Sequence, residues 1–425
     1  MSKRILYTTL CLYLACSFLL LESGDRIERV QARTAYRSAA ESFTVHENKA
    51  THSFAQHVTF SLHVSAETEI ERIYLFFRPA SKDTTKQVAI DIDPGREIKT
   101  QHEHDPRYDP LPPFARVFFW WHIEDADGNE WITDRQYFTY TDTRFEWKRL
   151  DEVFQDNAGA TYRIAVHWID GHGDPIFGQT ALDIAQTSLK QGNADLHVQL
   201  PEEINIYIYD NPRNLHAAME LSGRDWVGGQ AHPELGAIIT SIPFESVTGY
   251  EGQMKRYIPH EIAHLLIYHL VDGEKYKYVP EWLDEGLATD NELLPTTEYQ
   301  TALAHAYEHG TLIPLENLCH PFPPDYQSAL LSYAQSGSLV KFIREEYGAE
   351  GIRRLLQAYA NGASCKIGVE QALGVSLSGL ESAWRASLAA HPLRATFDQI
   401  GVWIALWLLS LLLAVPMIGK LRQHR

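Results

Sequence analysis

Positive charge is in short supply in this chain: 37 Lys and Arg stand against 55 Asp and Glu, a formal charge of −18 at neutral pH. A surface of that sign repels nucleic acid and anionic headgroups, which excludes nucleic acid as an expected partner. Cysteine is rarer still, four residues in 425. Cys11 and Cys16 fall in an apolar N-terminal run, and no spacing suits a zinc finger. Cys319 and Cys365 remain, either free or, in an oxidising space, paired. The chain has no Ser-His-Asp arrangement and no glycine-rich phosphate loop, so neither serine hydrolysis nor nucleotide chemistry is indicated. Apolar residues are not lacking, and 45% of the chain is enough for a packed core.

Basic residues mark both ends. Lys3 and Arg4 precede the nearly apolar stretch 5–21, so residues 1–23 read as a signal peptide or an uncleaved anchor, followed by a polar stalk over 24–42. Residues 400–419 form a second apolar run, with Trp403 and Trp407 near its start and a basic tail, 420–425, after it. A helix of about 20 residues reaches about 30 Å, the thickness of bilayer hydrocarbon. The expectation is a single-pass protein of the cell membrane, held in the lipid bilayer by a C-terminal transmembrane helix. Its ectodomain would be extracytoplasmic and its C-terminus cytoplasmic.

Between these ends the pattern changes once. Over 43–145 short runs alternate with period two, as in Val58, Phe60, Leu62 and Val64, and Asp127-Gly128-Asn129 is a hairpin signal. This suggests a small all-β sandwich of immunoglobulin or fibronectin-III type, although no Cys–Trp–Cys signature accompanies it. Residues 141–150 read as a connection. Over 150–390 a few strands (162–168, 204–209, 236–242) and one early helix (175–191) give way to many helices, an α+β layout.

The densest chemical signal lies at that changeover, His260-Glu261-Ile262-Ala263-His264. Residues four apart on a helix lie one turn above each other, so both imidazoles reach one zinc ion. Glu261, beside them, is placed to take a proton from a water. Trp282-Leu283-Asp284-Glu285-Gly286-Leu287-Ala288 follows a turn at Asp272-Gly273 and offers Glu285 as a third ligand. Two His and one Glu leave the fourth tetrahedral position open, as a catalytic zinc requires. Pro259 has no amide donor, so the motif helix is expected to begin or bend just before it. His269 faces away from the pair, and His102-Glu103-His104-Asp105 and Asp170-Gly171-His172-Gly173-Asp174 read as a loop and a turn rather than as metal sites. The stretch from Gly228-Gly229-Gln230 to Ile239 is either an edge strand above the cleft, open to an extended peptide, or an ordinary sheet strand.

His260-Glu261-x-x-His264, then twenty residues, then Glu285 within Trp-Leu-Asp-Glu-Gly-Leu-Ala, resembles the gluzincin zinc metallopeptidases and, more closely, the bacterial peptidase MA-like domains. Tyr257-Ile258-Pro259 and Tyr333-Ala334-Gln335-Ser336-Gly337-Ser338-Leu339-Val340 match as well, so the resemblance covers roughly residues 160–390. It implies a zincin-like (thermolysin-like) domain, one Zn2+ ion on His260, His264 and Glu285, and peptide hydrolysis with Glu261 as general base. It also implies that Asp284 holds a ligand imidazole N–H, the plain alternative being a solvated acid. Tyr333 is implied as the donor to the developing oxyanion, the alternative being an ordinary buried aromatic. The expected function is that of a membrane-anchored extracytoplasmic zinc peptidase acting on a peptide or protein substrate. Two alternatives stand beside it: a zincin-fold scaffold that has lost catalysis, against which an intact Glu261 argues, and a zinc hydrolase of a non-peptide substrate.

Overall fold

The computed structural model describes residues 43–155, 159, 161–169, 176–219, 228–243, 249–294 and 296–390. The leader, the polar stalk, the 170–174 turn, the apolar run 400–419 and the basic tail lie outside the described residues. Among the described residues no helix is long and apolar enough to cross a membrane. The chain divides into two compact units between Glu146 and Trp147.

The first unit is all β: β1 (Phe43–Ser53), β2 (His57–Pro79), β3 (Lys86–Ile90), β4 (Gly95–His104), β5 (Arg116–Asp125), β6 (Glu130–Ile132) and β7 (Gln136–Thr139). Val58, Phe60, Leu62 and Val64 are buried at alternate positions of β2, and so are Ile73, Leu75 and Phe77 further along it. The first half of β2 pairs with β1 and β4, the second half with β3 and β5. Register with β4 slips between Ser65 and Ile70, and there the strand folds over, because the rings of Phe60 and Phe77 meet at 4.9 Å. A straight strand would hold them roughly 55 Å apart. The unit is therefore sandwich-like, but its layers belong to one hydrogen-bonded sheet continuous through β2, rather than to two separate immunoglobulin-type sheets. The hairpin at Asp127-Gly128-Asn129 joins β5 to β6, with the Asp125 carboxylate accepting the Asn129 N–H at 2.8 Å.

The second unit opens on β8 (Trp147–Gln155), where the sequence suggests a connection. No residue of β8 is buried, so it has no alternation to read. With β9 (Thr161–Ile169), β10 (Glu203–Tyr209), β11 (Gly229–His232) and β12 (Ala237–Ser241) it forms a sheet ordered β11-β12-β10-β9-β8. The three inner strands are parallel and both edges antiparallel. Helix α1 (Phe177–Leu196) crosses from β9 to β10 and buries Phe177, Ala181, Ala185 and Leu189 along one stripe. Then follow α2 (Pro212–Ala218), α3 (Gly249–Leu270), α4 (Glu281–Asn291), α5 (Thr297–Glu308), α6 (Leu315–Leu318), α7 (Tyr326–Ala360), α8 (Cys365–Leu373) and α9 (Leu377–Ala390). The unit is mixed α+β with the motif helix α3 at the changeover. Helix α7 is interrupted at Gly348, and Gly374 caps α8 before α9 begins. Cys319 and Cys365 are disulfide-bonded, with Cα atoms 6.1 Å apart, and tie the end of α6 to the start of α8.

Of the two expectations for Pro259, a helix start just before it does not hold. The proline lies well inside α3, which begins at Gly249. Proline cannot donate to the carbonyl four residues back, that of Lys255. That carbonyl instead accepts the Leu293 N–H at 2.9 Å. The Pro259 carbonyl accepts from Asn291 Nδ2 at 2.6 Å. The end of α4 thus replaces the bond that the proline removes, and the helix does not have to stop.

Candidate metal centre

The site is built where α3 and α4 face each other. Ile262, Leu265 and Leu266 bury one side of α3 in the core, which leaves His260 and His264 on its other side, along a cavity of about 660 Å³. Trp282 and Leu283 anchor α4, each fully buried and worth roughly 1.5–3 kcal/mol. The glycine after Glu285 has a packing reason: a Cβ on Gly286 would stand 2.7 Å from the Ser336 carbonyl oxygen of α7.

His260 Nε2 lies 3.2 Å, and His264 Nε2 3.6 Å, from Glu285 Oε2. Ligand atoms held tetrahedrally at about 2.1 Å from zinc are about 3.4 Å apart. The three side chains therefore stand at the spacing that one zinc ion needs. Their other ring atoms are equally ordered. His264 Nδ1 donates to Asp284 Oδ1 at 3.0 Å, and His260 Nδ1 to Glu292 Oε1 at 3.3 Å. A carboxylate only accepts, so each Nδ1 carries a proton, which leaves Nε2 as the atom of each ring that would ligate a metal. The donor set fits zinc.

Glu292 and Tyr276 are contacts that the sequence reading does not single out. Glu292 lies about two helical turns beyond Glu285, hence on the same face, and Arg256 Nε stands 3.6 Å from its Oε2 as a counter-charge. Tyr276 sits in the 3-10 turn Gly273–Tyr278 and donates to Asp284 Oδ2 at 2.7 Å. The expected partner Asp284 is where the sequence suggests, on a histidine of the motif.

Charge is concentrated here. Burial opposes the His264 imidazolium, but Asp284 and Glu285 outweigh it and raise the group to about 9 in the metal-free protein. For His260, too, burial is overcome, by Glu285 and Glu292, and the imidazole rises well above its usual range. Burial raises the Glu261 carboxyl against the pull of His260 and His264.

Glu261 is 5% exposed and meets β11, where a Cβ on Gly229 would lie 2.7 Å from its Oε1. The Ala231 N–H donates to its carboxylate. Of the two readings of this stretch the edge strand holds for Gly229–His232, which walls the cavity, while Ile239 belongs to the inner strand β12. Tyr333 is half-buried and lines the same cavity, its ring 6.1 Å from that of His260 and edge-on to Phe322 at 5.3 Å. The motif segment behind it is fixed by Gln335, which bonds both the N–H and the C=O of Ile313, at 2.8 and 3.0 Å. His269 does not line the cavity. His104 places Nε2 3.0 Å from the Asp109 carbonyl, so the 102–105 run does not gather as a site.

Residues 184–390 match the family model described as Peptidase MA superfamily. Comparison with curated proteins finds no match. Solved structures similar to the chain include an M1 zinc metallopeptidase from Deinococcus radiodurans, at 13% identity, covering 81% of this chain and 94% of that one with a TM-score of 0.38. An aminopeptidase N family protein from Idiomarina loihiensis is similar at 10% identity, with 77% and 73% covered and a TM-score of 0.37. Legionella pneumophila aminopeptidase A, solved in complex with aspartic acid, is similar at 10% identity, with 81% and 49% covered and a TM-score of 0.34.

Proposed function

We infer from residues 184–390, a gluzincin-like peptidase domain, that this chain is a zinc-dependent peptidase in which His260, His264 and Glu285 hold one Zn2+ ion. The observation that carries the reading is the convergence of two Nε2 atoms on Glu285 Oε2, at 3.2 and 3.6 Å, with a carboxylate behind each ring. A zinc ion there supplies Lewis acidity toward a water and a carbonyl oxygen. The protein's own groups do the rest. Glu261, its carboxyl raised by burial, takes the proton of the attacking water and returns it to the leaving amine. Tyr333, in the same cavity, donates to the oxygen that gains charge as the carbonyl becomes tetrahedral. An extended peptide lies along β11, whose outer edge offers main-chain bonds. Attachment to a bilayer through residues 400–419, with the peptidase domain on the extracytoplasmic side, is supported by the length of that apolar run and its basic flank.

Cleavage of a fluorogenic peptide library by the detergent-solubilised chain tests the reading. Activity is expected to vanish with a chelator and return with zinc. Glu261→Gln is expected to keep stoichiometric zinc and lose about 10²- to 10⁴-fold in turnover. A Glu261→Gln protein that cleaves at the normal rate would refute the mechanism, and a wild-type protein that binds no zinc would refute the site. Zinc binding with no peptide cleaved would favour a non-peptide substrate or a scaffold.

A further inference from the structure

Tyr276 lines the cavity at the metal centre, and the reaction gives it no task. It comes from the connection between α3 and α4 rather than from either helix. Its ring is held edge-on by Tyr268 of α3 at 5.7 Å. Its hydroxyl lies 2.7 Å from Asp284 Oδ2 and 3.3 Å from His264 Nδ1. Asp284 Oδ1 in turn lies 3.0 Å from that same Nδ1. The three groups close a triangle on the side of the imidazole away from Glu285.

Where the phenol sends its proton decides what His264 can be. A carboxylate oxygen is a stronger acceptor than a neutral ring nitrogen, and it is also the nearer one. Given to Asp284, the phenol proton leaves Nδ1 with its own, so Nε2 is the ring atom whose lone pair a metal can take. Given to Nδ1, it would force the other tautomer, with N–H on Nε2 and no lone pair for a metal. The phenol bond also fixes the second carboxylate oxygen, so Asp284 cannot turn away from the ring. His260 is backed differently: its carboxylate, Glu292, has the Arg256 cation behind it rather than a neutral donor.

We propose that Tyr276 is a positioning residue which, by holding Asp284, fixes His264 in the tautomer and orientation that ligate the metal. The proposal rests on the reading of His260, His264 and Glu285 as a zinc centre.

The test is zinc affinity by chelator competition for wild type, Tyr276→Phe, Asp284→Ala and the double variant, with folding of each checked by circular dichroism and thermal melting. Tyr276→Phe removes one oxygen and keeps the ring, so it is expected to fold and to bind zinc about 10- to 100-fold more weakly. The double variant is expected to bind no more weakly than Asp284→Ala alone, because the phenol acts through that carboxylate. The visible spectrum of the cobalt-loaded protein is expected to shift in Tyr276→Phe. Wild-type affinity in Tyr276→Phe would overturn the proposal. So would an equal loss in the Asp284→Ala background, which would make the phenol act independently. A fall in kcat at unchanged zinc affinity would also overturn it, and make Tyr276 a substrate-facing group. A wild-type protein without zinc affinity fails the proposed function first, whereas an indifferent Tyr276→Phe in a zinc-binding protein fails this inference alone.

Discussion

Replacing Gly286 with alanine adds one methyl group where α4 passes α7. That methyl would lie 2.7 Å from both the Ser336 carbonyl oxygen and Val340 Cγ2, against 3.4 Å for the short end of ordinary contact. The carbonyl is helix backbone and cannot rotate aside, so α4 must withdraw by about 0.7 Å. Glu285 is the adjacent residue and moves with it. Metal–ligand distances hold to within about 0.2 Å, so the carboxylate leaves bonding range. Stability changes less, because two effects oppose: alanine gains up to about 1 kcal/mol over glycine inside a helix, while overpacking costs about 1–3 kcal/mol. The net expectation is a loss of about 0–3 kcal/mol with zinc affinity down at least about tenfold. Chelator competition and urea denaturation of the metal-free protein measure the two separately. Gly379→Ala in α9, where the new methyl would meet only the Ser376 hydroxyl at 3.1 Å, is the control: it should leave zinc affinity unchanged and shift stability by no more than about 1 kcal/mol. If Gly286→Ala binds zinc like wild type and is equally stable, the approach of α4 to α7 does not set the carboxylate.

Two further outcomes follow from the charges and the cross-link. In the metal-free protein His264 titrates at about 9 against about 6.5 when unfolded. The raised value favours the imidazolium, so its stabilisation is complete below about pH 6.5 and is lost as the pH climbs through about 9, on the order of 3 kcal/mol in all. The urea midpoint of chelator-treated protein should fall across that window, and a flat profile would refute the assignment. The Cys319–Cys365 bond spans 46 residues, which corresponds to about 4 kcal/mol of chain entropy. Reductant, or the paired Cys319→Ser and Cys365→Ser changes, should lower the melting temperature by several degrees; an unchanged melt would show that the cross-link contributes nothing.

The ligand geometry was legible because it is local. A spacing of four on one helix and a carboxylate on the next require no knowledge of the sheet, and Asp284 is adjacent to that carboxylate. Glu292 and Tyr276 escaped notice because their roles depend on how the connection and the end of α4 fold back against the histidines. β8 is silent for a different reason: with no buried residue, its sequence records nothing of its neighbours. Pro259 leaves a start and a bend equally open in the sequence, and the start fails because the missing bond is supplied by Leu293, which no window around the proline contains. In the first unit the alternation of β2 was plain, yet one long strand that doubles back has the same pattern as two separate ones.

The proline in α3 also fixes where this domain does not bend. Hinges form where backbone groups exchange partners at little cost. The junction after α4 is the opposite, because drawing Leu293 away would strand the Lys255 carbonyl with no amide in its own helix to take it. The two helices that carry His260, His264 and Glu285 therefore travel as one piece. Any widening of the cavity to admit a chain comes from the other elements that line it, β11, α5 and α7.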